Sequence, residues 1–199
     1  MVLITYPQQV PKETEIINAL FEEGLEVLHL RKPGFDEVQM HEFISKIDQQ
    51  FHARVMIHSH YELLYSYNLK GLHFTEKTKH LLPNYDDVQC TKSMAVHELA
   101  ELRSIRPTVG YILLSPLFPS VSKEGYSKQW DIEELKLELA KTHGFSTVAL
   151  GGITLKNVKT VKELGFQDFA LLGSIWEPVK AGCSKKQAID ILKKFNHEQ

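Results

Sequence analysis

Cysteine is nearly absent from this 199-residue chain: there are two, Cys90 and Cys183, far apart and without CxxC spacing. That argues against a disulfide framework and fits reduced thiols in a cytoplasmic protein. Long apolar runs are missing too, since none approaches the roughly 18 to 20 residues of a membrane-spanning helix. The opening MVLITYP has no basic start and is too short for a secretory signal core. An excess of one charge is also lacking: 23 Lys+Arg against 25 Asp+Glu leave a net charge of −2, with no lysine block or acidic tail. Nucleic acid and membranes are therefore not expected as partners. What remains is an ordinary globular composition, 43% hydrophobic and 24% charged, long enough for one sizeable core. With no linker or low-complexity tract, the expectation is a single domain over 1–199.

Two kinds of segment alternate. Short aliphatic or β-branched runs stand at 2–6, 27–31, 55–58, 71–74, 88–93, 111–114, 147–150 and 169–172. Near-continuous apolar runs of this length suit parallel strands buried on both faces. Helical periodicity fills the intervals at 12–23, 36–50, 61–69, 95–104, 131–142, 155–164 and from about Ser184 onward, with only a weak turn at 76–86. Eight strands, each followed by a helix or its remnant, predict a compact (β/α)8 TIM barrel. A doubly wound open sheet is the alternative, but it needs only five or six strands in this length.

In such a barrel the chemistry lies at the C-terminal ends of the strands. The seventh run ends in Gly151-Gly152-Ile153-Thr154 and the eighth in Gly173-Ser174-Ile175. Glycines admit backbone N–H groups to an anion, and a helix N-terminus favours negative charge, so a phosphate monoester is expected there. The second run ends in His29-Leu30-Arg31-Lys32. Period two puts His29 and Arg31 on one side, toward the interior, where a guanidinium needs an anion or an acidic partner. His58, Ser59 and His60 follow the third run, and His73 lies in the fourth. Their spacing matches no metal-binding pattern, so no metal site is expected and hydrogen bonding or proton transfer suits them better. Ser93 ends the fifth run and is placed at a helix start, while His97 is expected to be solvated. The sixth run empties into SPLFPSVSKEGYS (115–127), where Ser120, Ser122 and Lys123 supply donors between stiffening prolines. Trp130 fits either a cover over the mouth or the core.

These segments carry a resemblance to the thiamine phosphate synthase / TenI superfamily, running from Val2 to the last helix: HLRKPG (29–34), GLHF (71–74), SPLFPSVSK (115–123), VALGGIT (148–154) and FALLGSIW (169–176). The loop 115–123 resembles the family's GPIFPTxTK segment and is the most specific of them. The resemblance implies joining of hydroxymethylpyrimidine diphosphate to a thiazole phosphate, with loss of pyrophosphate and help from magnesium. It implies that Gly152, Gly173 and Ser174 hold the thiazole phosphate, with Ser120 and Ser122 nearby, and that Arg31, Ser93 and Lys123 face the diphosphate.

The chain also departs from the synthase pattern. His58-Ser59 replaces an Asn-Asp pair, and Thr75-Glu76 stands where a Gly-Gln-x-Asp segment loses its aspartate. Both carboxylates that the resemblance assigns to magnesium are thus missing, and the basic pair Arg-x-Lys becomes the adjacent Arg31-Lys32. Histidine at position 29 is similar to the TenI-type thiazole tautomerases, whereas Pro116 replaces a histidine they use. Three functions follow in order: the synthase reaction, with magnesium as a cofactor only if that activity is retained; tautomerisation with His29, His58 or His60 moving the proton; and phosphate-ligand binding without turnover. Partners are small phosphates or diphosphates, and a homo-oligomer stays open.

Overall fold

The apolar runs become eight short parallel strands because residues of this kind, buried on both faces, leave the backbone to satisfy itself through the ladder. In the computed structural model, which describes residues 1–119, 130–141 and 143–198, these are β1 (Val2–Ile4), β2 (Val27–Leu30), β3 (Val55–Ile57), β4 (Gly71–Phe74), β5 (Thr91–Val96), β6 (Tyr111–Leu114), β7 (Ser146–Leu150) and β8 (Asp168–Leu171). Their order is sequential and closes into a barrel. The expected (β/α)8 fold is therefore what the chain adopts. No helix among the described residues is long and apolar enough to cross a membrane.

The α-helices are α1 (Glu13–Glu22), α2 (Glu37–Ser45), α3 (Ile132–Leu139), α4 (Val158–Glu163), α5 (Gly173–Lys180) and α6 (Lys185–Asn196). Local chemistry sets their ends. Asp36 and Gln39 form a reciprocal capping box on α2, and Ser184 and Gln187 do the same on α6. After α1 the chain turns at Gly24 with φ 98°, a left-handed conformation that glycine adopts without a Cβ clash.

The predicted helices at 61–69 and 95–104 and the weak turn at 76–86 are 3₁₀ segments instead: Tyr61–Tyr65, Leu99–Ser104 and Lys79–Tyr85. A further one, Gln49–Arg54, takes the end of the segment predicted at 36–50. Five to seven residues leave room for little more than a tightened turn between strands. The sequence pattern does not predict the short helix α5, because it is only eight residues long and Pro178 interrupts its pattern.

The packing divides into two compact units, Met1–Leu72 with Leu172–Gln199, and His73–Leu171. In the first, β1 aligns with β2 (Ile4 beside His29) and β2 with β3 (His29 beside Met56). Phe21 of α1 stacks on Phe51 at 4.9 Å. Trp176 of α5 is fully buried and donates its indole N–H to the Ile4 carbonyl at 2.8 Å, which fastens that helix to β1. In the second unit β5 through β8 run in register, with Ser93 beside Tyr111 and Ala149 beside Phe169. Leu135, Leu139, Val158 and Val161 bury the inner faces of α3 and α4. Each such side chain, once removed from water, contributes about 1.5–3 kcal/mol.

One ionic contact lies inside the first unit. The Lys32 ammonium donates to the carbonyls of Tyr6 and Gln8, both at 2.7 Å, and to Glu13 Oε2 at 2.5 Å. Phe35 and Phe43 lie 5.8 and 5.3 Å from it. Burial pushes the Glu13 carboxyl up, against the pull of Lys32, and pushes the Lys32 ammonium down, against the pull of Glu13. Breaking such a pair on one side is costly, whereas replacing both partners with apolar groups is not. Lys32→Met is therefore expected to lose about 3–5 kcal/mol in urea unfolding, and the double variant Glu13→Leu/Lys32→Met to recover most of it. Equal losses in both variants would show that apolar packing, not the ion pair, sets the cost.

Candidate functional site

At the strand ends of the first unit, His29 on β2 is fully buried. Its Nδ1 lies 3.0 Å from Nε2 of His58, the residue that follows β3 and is itself buried. One ring donates and the other accepts, so this contact holds a proton between two imidazoles. His60 does not join it. Its backbone is left-handed (φ 53°), and its Nε2–H donates to the Phe35 carbonyl at 3.0 Å, so it braces a loop.

Arg31 sits one residue beyond β2, half-buried. Its backbone N–H donates to Thr5 Oγ1 at 2.8 Å and its carbonyl accepts from the same hydroxyl at 3.0 Å. No carboxylate among the described residues pairs with its guanidinium. The acidic partner that sequence left open is therefore not found there, and the cation is available to a ligand anion. Lys32 is different: although adjacent in sequence, its ammonium is buried and spent on Glu13. The Arg31-Lys32 pair thus presents one cation, not two.

The same unit holds the start of α5. Gly173 and Ser174 open that helix directly after β8, where first-turn amides lack intrahelical acceptors. A Cβ on Gly173 would meet only Glu177 Cγ, at 3.8 Å, so packing does not demand a glycine there. Close approach of a ligand would.

In the second unit, Gly151 and Gly152 have φ 106° and 63°. A Cβ on Gly151 would come within 2.9 Å of Pro116 Cα, and one on Gly152 within 2.9 Å of Phe118 backbone and against the Pro119 carbonyl. Leu117 N–H donates to the Leu150 carbonyl at 2.8 Å and Phe118 N–H to the Gly151 carbonyl at 3.1 Å. These two glycines therefore let the loop after β6 lie directly on the turn after β7. Asn157 fastens that turn by bonding both Thr154 N–H and the Gly152 carbonyl. Helix α4 starts only at Val158, so Gly152 is not at its N-terminus, contrary to expectation. Trp130 donates its indole N–H to the Pro116 carbonyl at 2.6 Å, and the Ser115–Pro116 peptide is cis. Ser120, Ser122 and Lys123 lie outside the described residues.

The fifth strand corrects the sequence reading most. It covers Thr91–Val96 rather than 88–93, so Ser93 lies inside the strand instead of opening a helix. Ser93 is fully buried, and its hydroxyl is 2.9 Å from His73 Nδ1. It also bonds Tyr111, whose phenol is pushed up by burial and by the Asp168 charge, with the Ser93 bond opposing. A serine so placed belongs to a buried polar chain with His73 and Tyr111. The residue at the end of this strand is His97, whose Nδ1–H donates to the Ser115 carbonyl at 2.8 Å. It holds the loop after β6 instead of standing in solvent. Thr5 was missed altogether, because a threonine after a short apolar run carries no signal of its own.

The donors do not fit magnesium. That ion takes oxygen ligands in octahedral geometry and is placed by one or two carboxylates. After β3 the chain offers an imidazole already bonded to another, and Glu76 after β4 is exposed and held by Lys79 at 2.5 Å.

A closed parallel barrel of eight sequential strands, with an arginine and a helix start at strand ends of its first unit, defines the (β/α)8 class. Within that class, a family profile described as thiamine monophosphate synthase matches residues 1–175, and the chain belongs to that family. It is 30% identical over 168 residues to the thiamine-phosphate synthase of Photorhabdus laumondii, covering 80% of this chain and 76% of that one. With the enzyme of that name from Serratia proteamaculans it shares 26% over 187 residues, covering 85% and 82%. Thiamine phosphate pyrophosphorylase from Bacteroides thetaiotaomicron superposes with a TM-score of 0.81 at 28% identity, over all of this chain and 96% of that one. The pyrophosphorylase of Pyrococcus furiosus, at 15% identity and TM-score 0.78, shows the same fold.

The two glycine sites make opposite predictions. Gly152→Ala is expected to lower the melting temperature, since the left-handed backbone alone costs about 1–2 kcal/mol before the contact with Phe118 is added. Gly173→Ala is expected to melt within about 0.5 kcal/mol of wild type, as surface-type substitutions do, yet to weaken binding of a phosphate monoester. Thermal melts paired with calorimetric titration test both.

Proposed function

We propose that this chain is an enzyme of thiamine biosynthesis that joins hydroxymethylpyrimidine diphosphate to thiazole phosphate and releases pyrophosphate. The observation that carries this reading is Arg31, a half-buried arginine just past a strand end with no carboxylate partner among the described residues. The family and its relatives supply the reaction. The bond from the pyrimidine methylene to the diphosphate oxygen breaks, the thiazole nitrogen bonds to the methylene carbon, and the electron pair leaves on pyrophosphate. Arg31 stabilises the charge growing on that leaving group, where a fixed donor acts most strongly. The start of α5 at Gly173 and Ser174 holds the thiazole phosphate. Ser120, Ser122 and Lys123 are assigned to the same mouth by resemblance. No step is routed through magnesium, because the donor set does not suit it. A cytoplasmic location and small phosphorylated partners complete the reading.

A second reading is favoured by one contact, the buried His29–His58 hydrogen bond. A pair that holds a proton between two rings suits the isomerisation of a thiazole carboxylate phosphate. Pro116, which replaces the tautomerase histidine, places it second.

Purified protein given both synthase substrates is expected to form thiamine phosphate and pyrophosphate. Arg31→Ala should lower kcat/KM by about 10²–10³-fold, the range for loss of one preorganised donor to a developing anion. No product at high enzyme concentration, together with isomerisation of the thiazole carboxylate phosphate, would replace the first reading by the second. Chelation provides a separate check. With excess EDTA the turnover is expected to stay within about threefold of that with magnesium, because the described residues after β3 and β4 offer the ion no carboxylate pair. A loss beyond a hundredfold would put the ion back into the mechanism.

A further inference from the structure

Arg31 lies just past the point where the β1–β2 ladder ends, at Ile4 beside His29. Beyond that point a backbone is normally free to move. Here Thr5 extends the pairing by one step. Its own N–H donates to the His29 carbonyl at 3.0 Å, and its side chain then takes over from the main chain. The hydroxyl accepts from Arg31 N–H at 2.8 Å and donates to the Arg31 carbonyl at 3.0 Å. Thr5 is fully buried, so water does not compete for these bonds. One hydroxyl thus serves both polar backbone groups of a single residue.

The next residue is held just as firmly from the other side. Lys32 spends its three protons on Tyr6, Gln8 and Glu13, all within the connection from β1 into α1. The dipeptide Arg31-Lys32 is therefore tied to that connection before and after the arginine: Thr5 grips its backbone, and the lysine anchors the chain that follows.

We infer that Thr5, backed by the Lys32–Glu13 bridge, is a positioning residue for the synthase reaction, which sets the Arg31 guanidinium against the diphosphate. This rests on the diphosphate reading of Arg31. A guanidinium stands at the end of a long, rotamer-rich side chain, so the position of its Cα sets the region the charge can reach without strain. A misplacement of about 1 Å can cost 10²-fold in rate. Thr5 touches no substrate in this role. It acts through the position of Arg31.

The test is a double-mutant cycle read by calorimetric binding of inorganic pyrophosphate, with kcat and KM measured alongside. Thr5→Val keeps the shape and removes the hydroxyl, whereas Thr5→Ser keeps the hydroxyl. Thr5→Val is expected to weaken pyrophosphate binding about tenfold and lower kcat, with KM for thiazole phosphate unchanged; Thr5→Ser should stay within about twofold of wild type. In an Arg31→Ala background, Thr5→Val should add nothing, because the group it positions is gone. Wild-type affinity in Thr5→Val, or the full tenfold loss repeated in the Arg31→Ala background, would overturn the inference.

Should Thr5→Val fail to fold, Glu13→Leu/Lys32→Met removes the second tether, and the same cycle against Arg31→Ala applies with the same outcomes. Failure of the diphosphate reading shows itself differently: wild type and Arg31→Ala would then be alike in binding no pyrophosphate. Hydrogen exchange at the Arg31 amide then decides whether the tether exists. Protection lost in Thr5→Val and kept in Thr5→Ser upholds it, and protection unchanged in Thr5→Val sinks it.

Discussion

The first unit of this protein is organised around an arginine whose backbone is fixed while its charge is left without a carboxylate partner among the described residues. Removing a charge from water costs several kcal/mol unless something opposes it. Arg31 has no carboxylate partner among the described residues, yet its backbone is fixed at both polar groups by Thr5. The fold thus holds the cation in place without neutralising it. That combination makes sense for a residue whose counter-ion arrives and departs with each reaction cycle.

Lys32 solves the same problem in the opposite way. Its charge is buried with Glu13, and the remaining protons go to two backbone carbonyls. A lysine next to Arg31 reads in sequence as a second cation for the ligand. In the fold it is a tether. The difference lies in the partners: Glu13 and the carbonyls of Tyr6 and Gln8 surround the Lys32 ammonium, whereas Thr5 bonds only the backbone of Arg31. Similar economy applies to the glycines. Gly151 and Gly152 serve the close approach of the loop after β6, whereas Gly173 has space that packing does not use.

Seven of the eight strands could be read from apolar runs to within about two residues, because a strand buried on both faces must be apolar along its length. The fifth could not. Its residues Lys92 and Ser93 look like loop residues, but the Lys92 ammonium reaches the Val88 carbonyl at 2.7 Å and Ser93 bonds His73. Polar residues whose partners lie inside the fold break the apolar pattern, and the strand was displaced by three residues as a result. The 3₁₀ segments were misjudged for a related reason. Periodicity shows which face is apolar, but the space between two strands decides how many turns fit.

The sequence by itself determined the barrel, the family segments, and the presence of Arg31, Gly173 and Ser174 at strand ends. These are properties of local pattern: alternation of apolar runs, glycine at turns, and charge after a strand. Tertiary structure alone decided which polar groups remain available to a ligand. Ser93 and Lys32 were withdrawn by buried partners, His60 was turned to a loop carbonyl, and His29 was joined to His58. A hydrogen bond between residues nineteen or more positions apart leaves no local trace, so only the folded chain could assign those groups.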